Sequence, residues 1–363
     1  MNAVSPASTA TSATSATTTD MANTGSTVSA LTIARRRTLA LCAACLALLA
    51  TLTGVALSTG EFHIPFFDAL RALFGSGDSA TVLVVQQFRA PRVIAALIAG
   101  AALAVAGSMT QRLLRNPLAS PDVIGVTGGA SVGAVLVLAV GSLPAAVTPV
   151  AAVAGGLLVA ALLGASAWRS RVSVTRLVLV GVAIQQGLAA VVNLMIVRFP
   201  EQLAGQALQW TSGSLYGRTW TEVWIAGGAI VVVGGGAVLA QRHVAVLDLG
   251  DESAGGLGLD PRRSRLGLLL LAVVLASLAA ALAGPVGFVA LVVPHIVRRL
   301  AGPPTAATLA LTALTGALLL LAADYVALNL LPIHGLPAGT VTATLGAPWL
   351  LWLMARSHRR NLT

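Results

Sequence analysis

The feature that most constrains this chain is its series of uninterrupted apolar runs, each roughly 20 residues long, the length a helix needs to cross a bilayer. Only 9% of its residues are charged, whereas a soluble domain carries about 25%. Too little polar surface remains to cover a water-soluble globule, which excludes soluble enzymes, secreted disulfide scaffolds and disordered proteins as classes. The strands of a membrane barrel would instead alternate over about 10 residues. The sequence therefore predicts an all-α, polytopic membrane protein.

Ten apolar segments are predicted to span the membrane, and the arginines between them predict the orientation. The segments lie near 38–58, 82–110, 122–141, 143–168, 176–197, 220–241, 266–284, 286–301, 305–323 and 339–355. With the N-terminus inside, 17 of the 22 basic residues fall in cytoplasmic segments and 5 fall outside. Because cytoplasmic loops are enriched in basic residues, both termini are predicted to be cytoplasmic.

The formal net charge of +10 suggests nucleic-acid binding, but the arrangement of the charges argues against it. All 22 basic residues are arginines, and they stand singly or in short groups between apolar runs, without a basic face or tail. Cys42 and Cys45 form a C-x-x-C pair inside the first apolar run, with no metal-binding residues near them. We interpret them as small packing residues, and we expect no nucleic-acid partner, no metal and no cofactor.

The two ends of the chain differ in composition from the apolar region. Residues 1–34 are rich in Ser, Thr and Ala, so they are expected to form a disordered cytoplasmic tail. Three arginines at 35–37 then precede the first span, a pattern also seen in twin-arginine signal peptides. Because the apolar run is too long for a typical signal peptide, we favour an uncleaved first helix. The membrane domain is predicted to cover 35–356, with a short cytoplasmic tail at 357–363.

Prolines and small residues predict irregular and closely packed regions within the membrane domain. Two segments, around 284–301 and 323–340, are predicted to be broken by prolines at 285, 294, 332 and 337. Such backbone is tolerated at membrane depth where it is buried in protein or lines a cavity. In the second span, small residues recur every four positions and predict a smooth packing face: Ala96, Gly100, Ala104 and Ser108.

The carboxylates are concentrated in one predicted cytoplasmic segment, 248–262, which we call the acidic loop. Four of the twelve acidic residues lie in it: Asp248, Asp251, Glu252 and Asp260. The loop is either a solvated connection or an element that docks into a cytoplasmic partner. The chain contains no lysine and therefore no G-x-x-x-x-G-K phosphate-binding motif, so we expect no enzymatic activity and no catalytic residue. Any energy from ATP has to enter through another subunit.

Other charged residues bear on transport and docking. Asp122, Glu222 and Asp324 map to the ends of spans rather than to the bilayer centre, which disfavours a proton relay. Arg89 and Arg92 lie near the outer start of the second span, against the positive-inside trend. They are either arginines that snorkel to lipid headgroups or a cationic patch for an acidic external partner.

Residues 89–134 resemble the FecCD-type permeases of ATP-binding cassette importers for iron siderophores and vitamin B12. The family pattern reads R-x-P-R, followed by G-x-x-L-x-x-x-G-x-x-x-Q-x-x-x-R-N-P-L-A-x-P-x-x-x-G. The matching positions are Arg89, Pro91, Arg92, Gly100, Leu103, Gly107, Gln111, Arg115, Asn116, Pro117, Leu118, Ala119, Pro121 and Gly125. Three later blocks agree in order and spacing: Leu249 to Gly258; Gly284 to Phe288 with Pro294, His295 and Arg298; and Leu336, Pro337 and Gly339 with Leu345 to Pro348.

The resemblance covers about residues 35–356 and implies a ten-span permease in the bilayer of a bacterial cytoplasmic membrane. It implies three kinds of partner: a second permease, with a heterodimer favoured, two cytoplasmic ATPases and an external siderophore-binding protein. The residues implied to contact the ATPase are Gly250, Asp251, Glu252, Ala254, Leu257 and Gly258. Arg89 and Arg92 are implied to contact the binding protein, and residues 209–220 are most similar to the ferric-enterobactin type.

Import of a ferric siderophore is the favoured function, with vitamin B12 or haem import as the alternative inside the family. Outside it, an ion-coupled secondary transporter and a non-transporting membrane scaffold remain open. Two positions depart from the family pattern, which often has Arg in place of Leu328 and Glu in place of Gly335. Docking of the binding protein is therefore expected to depend on the partner permease or to differ in detail. The polar candidates for the translocation path lie on the fifth and tenth spans: Gln186, Asn193, Thr340 and Thr344.

Overall fold

The computed structural model describes residues 10–60, 62–141, 143–144, 147–169, 174–331 and 335–360. These residues form helices and connecting turns, with no strand in the described ranges, which confirms the predicted all-α fold. The helices are α1 (Ala10–Ser58), α2 (Phe66–Leu73), α3 (Ser79–Leu113), α4 (Val126–Val140), α5 (Val147–Arg169), α6 (Val174–Val197), α7 (Glu201–Thr211), α8 (Trp220–Leu239), α9 (Gln241–Asp248), α10 (Asp251–Gly256), α11 (Pro261–Ala283), α12 (Val289–Ala301), α13 (Ala306–Asn329) and α14 (Ala338–Arg360).

Seven of the described helices contain a stretch that is long and apolar enough to cross a membrane. These stretches are Thr32–Ser58 of α1, Val147–Ala165 of α5, Leu179–Val197 of α6, and the whole of α3, α8, α11 and α13. The remaining predicted spans coincide with α4, α12 and α14, which are shorter or contain a proline. Helix α1 begins at Ala10, inside the segment whose composition predicts disorder. The boundaries of the two tails stay predictions.

Helix α3 packs against α11, α12 and α13, because its small residues let these neighbours approach closely. A Cβ atom added to Gly100 would overlap the carbonyl oxygen of Gly316 on α13. One added to Gly107 would overlap the carbonyl oxygen of Ala290 on α12. The four-residue repeat of small side chains therefore predicted a real helix–helix contact.

The two cysteines lie on the side of α1 that packs against α13. The sulfur of Cys42 is 4.0 Å from the carbonyl oxygen of Ala307, and the sulfur of Cys45 is 3.8 Å from Oγ1 of Thr315. Both thiols are free, and the described residues contain no group of three or more His, Cys, Asp or Glu side chains arranged to hold a metal ion. Their contacts are those of small packing residues.

The predicted breaks lie between helices, with one exception. Pro285 is in the connection between α11 and α12, Pro337 directly precedes α14, and Pro332 lies outside the described residues. The prediction that Pro294 also breaks the chain is wrong, because α12 continues through it. Proline lacks an N–H, so it leaves the carbonyl of Ala290, four residues earlier, without its helical partner. The side chain of Gln111 on α3 compensates, since its Nε2 is 3.5 Å from that carbonyl oxygen and 3.0 Å from the next one.

The bundle has two ends, which are separated by the length of α3. Arg92 and Arg112 are 20 residues apart on this helix, a distance of about 30 Å. Arg112 contacts Asp248 at the start of the acidic loop, and Arg92 contacts Asp324 near the end of α13. We call these ends the acidic-loop face and the far face. The indole of Trp220 donates to a backbone carbonyl near the start of α3 at 2.7 Å, so α8 begins on the far face.

Candidate functional site

The acidic loop is folded into a protruding turn formed by the end of α9, the short helix α10 and the start of α11. Gly250 and Gly258 flank α10 with φ angles of +108° and +81°, which glycine adopts without strain. Ala254 is buried against the bundle, whereas Leu257 is 65% exposed. The residues predicted to contact an ATPase therefore lie together on one turn, with an apolar side chain at its surface.

Three of the four carboxylates in the acidic loop make bonds within the chain. Asp248 accepts from an arginine at the end of α3 at 2.7 Å, and Asp251 accepts from Arg265 at 2.5 and 3.1 Å. Asp260 caps α11 by accepting from two backbone amides at 3.0 and 3.1 Å. Glu252 is exposed and has no bonding partner among the described residues. It is therefore the carboxylate of the loop that is available to another molecule.

A buried glutamine joins the acidic-loop face to the centre of the bundle. Gln111 is 1% exposed; it donates to the carbonyls of Ala290 and Leu291 on α12 and accepts from Arg298 at 2.9 Å. The adjacent Arg112 donates to Gln241 at 2.6 Å and to the start of the acidic loop. A continuous set of polar contacts thus links α12, α3, α9 and the acidic loop.

The other residues of the first motif shape the turn between α3 and α4. Arg115 has a left-handed backbone with φ of +48°, and its guanidinium donates to a carbonyl at the end of α9 at 3.2 Å. The side-chain oxygen of Asn116 accepts from the backbone amide two residues later at 2.9 Å, which forms a turn around Pro117. Pro121 starts a short 3₁₀ turn, and Gly125 enters α4 with φ of +83°. Their contacts and backbone angles shape this turn; the structural role expected of these residues stays a prediction.

Glycines bring the end of α7, the connection between α11 and α12, and the start of α14 together on the far-face side of α12, in a set of contacts we call the glycine junction. The amide of Gly339 donates to the carbonyl oxygen of Gly213 at 2.9 Å, directly after Pro337. A Cβ atom added to Gly284 would lie 2.6 Å from the carbonyl oxygen of Trp210. Side chains larger than hydrogen are therefore excluded where these loops cross.

His295 makes a packing contact. Its ring meets that of Trp349 on α14 edge-on, with 5.3 Å between the ring centroids. Neither ring nitrogen has a hydrogen-bond partner among the described residues. The ring contact joins α12 to α14.

On the far face, both candidate docking arginines bond within the chain. Arg92 donates through two nitrogens to the two carboxylate oxygens of Asp324, each at 2.8 Å, and that carboxylate is 4% exposed. Arg89 donates to the carbonyl oxygen of Leu57 at 2.7 Å, near the C-terminal end of α1, and to that of Phe62 in the following loop at 2.5 Å. Both arginines also line a cavity of 150 Å³. They are held in place before any partner arrives.

The four path candidates lie on outward faces of the single chain. Gln186 and Asn193 are exposed on α6, and Thr340 and Thr344 are exposed on α14. By contrast, Gln185 turns inward and accepts from a backbone amide of α4 at 2.9 Å. Polar side chains on an outward face of a membrane helix are costly in lipid. These positions therefore favour contact with water or with another subunit.

A second far-face cavity, of 280 Å³, is lined by α7, the loop that leads into α8, the end of α4 and the start of α5. Arg218 in its wall pairs with Glu222 at 3.1 Å and donates to the carbonyl oxygen of Ser214 at 3.2 Å. Burial lowers the pKa of the Arg218 guanidinium, and the neighbouring Glu222 carboxylate opposes that shift. Trp210 forms another part of the wall.

Sequence reasoning missed two features of the far face. It did not identify Asp324 as the partner of Arg92, although a carboxylate within an apolar helix is expected to pair with a cation. It also did not identify Trp210, Arg218 and Glu222 as the wall of a cavity. From the sequence, residues 209–220 showed only a similarity to one type of permease. Their cavity was not predictable, because no sequence spacing indicates how α7 packs against the loop that follows it.

The sequence was compared with models of known protein families and with known proteins. The model of the FecCD transport family matches residues 40–356. The chain is 39% identical over 305 residues to the achromobactin transport system permease protein CbrC of Dickeya dadantii, covering 84% of this chain and 87% of that protein. It is 37% identical over 305 residues to the ferric enterobactin transport system permease protein FepG of Escherichia coli, covering 84% and 92%.

Two further comparisons extend the range of relatives. The chain is 39% identical over 314 residues to the vitamin B12 import system permease protein BtuC of Vibrio cholerae, covering 85% of this chain and 93% of that protein. Among solved structures, it is similar to an inward-facing conformation of a putative metal-chelate type ABC transporter. The TM-score is 0.76 at 26% identity, and the match covers 87% of this chain and 98% of the other.

Proposed function

The chain belongs to the FecCD transport family, and from that premise we propose that it is the permease subunit of an ATP-binding cassette importer that carries a ferric siderophore into the cell. The names of two relatives, an achromobactin permease and a ferric enterobactin permease, support the substrate class. The arginine distribution supports an orientation with both termini and the acidic loop in the cytoplasm.

Transport proceeds by alternating access and is driven from outside the chain. Two separate ATPases bind the acidic-loop face and hydrolyse ATP. Their nucleotide states differ in affinity for two arrangements of the bundle, and that difference shifts the population between them. The contacts of Gln111 with Arg298, and of Arg112 with Asp248, carry the displacement of the loop into α12 and α3.

The observation that carries this proposal is that some carboxylates of the acidic loop bond within the chain, whereas Glu252 does not. Asp251 and Asp260 hold the turn in shape, whereas Glu252 and Leu257 are exposed. A preformed turn with one free charge beside an apolar side chain suits insertion into a groove on a cytoplasmic partner.

The test replaces the free charge. We expect Glu252→Arg to abolish co-purification of the ATPase and ATP-dependent uptake. Glu201→Arg makes the same charge change at an exposed residue of α7, away from the acidic loop, and should leave co-purification unchanged. If ATPase co-purification and uptake both survive in Asp251→Arg/Glu252→Arg, the coupling assignment is wrong.

An external siderophore-binding protein is proposed to dock on the far face. The cavity that Arg89 and Arg92 line supports an acidic side chain of that protein as the occupant. Unchanged affinity of the binding protein for Arg89→Glu/Arg92→Glu would exclude this patch.

A second permease is proposed to cover the outward faces of α6 and α14. The exposed Gln186, Asn193, Thr340 and Thr344 support a polar path between the two subunits. We favour a heterodimer, and the mass of the purified membrane complex distinguishes it from a homodimer.

Vitamin B12 or haem is the alternative substrate. The similarity to a vitamin B12 import permease is the reason to include cobalamin among the ligands tested. Fluorescence titration of the partner binding protein with ferric siderophores, haem and cobalamin identifies the ligand class. Tight binding of cobalamin or haem alone would replace the siderophore in this proposal.

A further inference from the structure

We propose that the 280 Å³ cavity between α7 and the start of α8 is a subsite for an anionic iron chelate, which it binds through acceptor oxygens on the surface of the chelate. This inference rests on the proposed function and adds a binding site to it. The cavity is lined by polar and aromatic side chains, including Gln206, Gln209, Trp210, Tyr216, Arg218 and Glu222.

Two residues that line the cavity each carry a buried N–H group without an acceptor among the described residues. Arg218 is 9% exposed, and its terminal nitrogens bond Glu222 and a backbone carbonyl, which leaves Nε without a partner among the described residues. Trp210 is also 9% exposed, and its Nε1 has no partner there either. Buried donors in folded proteins are nearly always paired. Two unpaired donors in one wall therefore favour a ligand that supplies oxygen acceptors after a small side-chain adjustment.

With Arg218 paired to Glu222 the cavity lining carries no net charge, so an anionic chelate is favoured by the unpaired N–H donors, because hydrogen bonds to charged oxygens are stronger than those to neutral ones. The Glu222 carboxylate is already used twice, because it pairs with Arg218 and accepts from the backbone amide of Thr219 at 3.0 Å. It is therefore fixed as part of the local turn and offers little to a cationic ligand. The groups left over for a ligand are N–H donors, the side-chain amides of Gln206 and Gln209, and the exposed ring of Tyr216.

The size and position of the cavity fit one edge of a chelate delivered from outside. Sites that enclose a drug-sized ligand have about 300–1,000 Å³, so 280 Å³ accommodates part of a larger molecule. The cavity lies on the far face, the end of the bundle opposite the proposed ATPase contact. The glycine junction holds the backbone of Trp210 against Gly284, so this wall is set before a ligand arrives.

The test measures chelate binding to the purified complex of permease and ATPases in nanodiscs, without the binding protein. Ferric citrate, a ferric catecholate and an uncharged ferric hydroxamate serve as probes. Gln209→Glu places a negative charge in the wall and is expected to weaken binding of the two anionic probes about tenfold, with no effect on the hydroxamate. Gln202→Glu introduces the same charge on α7 outside the cavity and should leave all three affinities unchanged.

A second pair of variants tests the donor. Trp210→Phe keeps a ring and removes the N–H, and is expected to weaken anionic chelates about fivefold. Trp224→Phe makes the same change at an exposed position away from the cavity and should have no effect. Thermal unfolding of each complex separates loss of fold from loss of binding.

Each outcome separates the subsite from the proposed function. If no anionic probe binds the wild-type complex, or if Gln209→Glu and Gln202→Glu behave alike, the subsite is wrong even where ATP-dependent uptake proceeds. In a separate titration, the siderophore-binding protein is added to the same complexes; if Gln209→Glu weakens its binding but not that of the chelates, the cavity belongs to the protein partner and the subsite is again wrong. Intact, variant-sensitive chelate binding without any ATP-dependent uptake supports the subsite and contradicts the proposed function.

Discussion

Removing Arg92 should destabilise the permease, because it leaves the buried carboxylate of Asp324 without a partner. The side chain of Asp324 is 4% exposed, and its two oxygens each accept one hydrogen bond of 2.8 Å from Arg92. Charge-assisted hydrogen bonds contribute about 1.5–3 kcal/mol each, and breaking a buried ion pair costs about 3–5 kcal/mol. We therefore expect Arg92→Ala to lower the free energy of unfolding by about 3 kcal/mol or more. Arg71→Ala removes an exposed arginine of α2 and should change it by less than about 0.5 kcal/mol.

The assay is a double-mutant cycle of Arg92→Ala and Asp324→Ala, with unfolding of the detergent-solubilised permease followed by circular dichroism. The double variant removes both charges, so we expect it to regain about 2 kcal/mol relative to the sum of the single variants. The affinity of the binding protein is measured on the same four proteins. If both single variants unfold like wild type, the structural role of the Arg92–Asp324 pair is refuted, whatever the affinity for the binding protein.

Three further outcomes are expected. Gly107→Ala should destabilise the protein by about 1–3 kcal/mol or prevent its accumulation, because the added methyl overlaps the carbonyl of Ala290. Thermal unfolding measures the effect, and Gly234→Ala is the control, because its added methyl has no atom within 4 Å. Gln111→Leu should cost about 1–3 kcal/mol in the same measurement, since it leaves the proline-freed carbonyl without a donor, and wild-type stability would refute that role. Asp260→Ala should remove the cap of α11 at a cost of about 0.5–2 kcal/mol, whereas Asp260→Asn should retain most of it; equal losses would contradict capping.

The fold was predictable because its determinants are local. Seven of the described helices contain a continuous apolar run, and the small-residue repeat on α3 identifies its contact face before any partner helix is known. Pro294 shows the limit of this reasoning, since the sequence indicates a break that the helix does not make. The compensating donor, Gln111, is 183 residues earlier in the chain, and no local rule relates the two.

The candidate sites were predictable to different degrees, because the sequence indicates which residues are close along the chain but not which distant residues meet in the fold. The acidic loop is contiguous, so its residues were found together, but the structure was needed to separate the bonded Asp251 from the free Glu252. On the far face, Arg92 and Asp324 meet only after α3 and α13 pack. The cavity around Trp210 depends likewise on the crossing of loops at the glycine junction.

The central claim is that this chain is an ATP-driven permease, and uptake into proteoliposomes tests it most directly. The permease complex is reconstituted with its ATPases and binding protein, and entry of a ⁵⁵Fe-labelled siderophore is followed with ATP enclosed. We expect uptake that requires hydrolysable ATP, survives a protonophore and is lost with Glu252→Arg. Uptake that proceeds without ATP and collapses with the protonophore would contradict the account and identify an ion-coupled carrier.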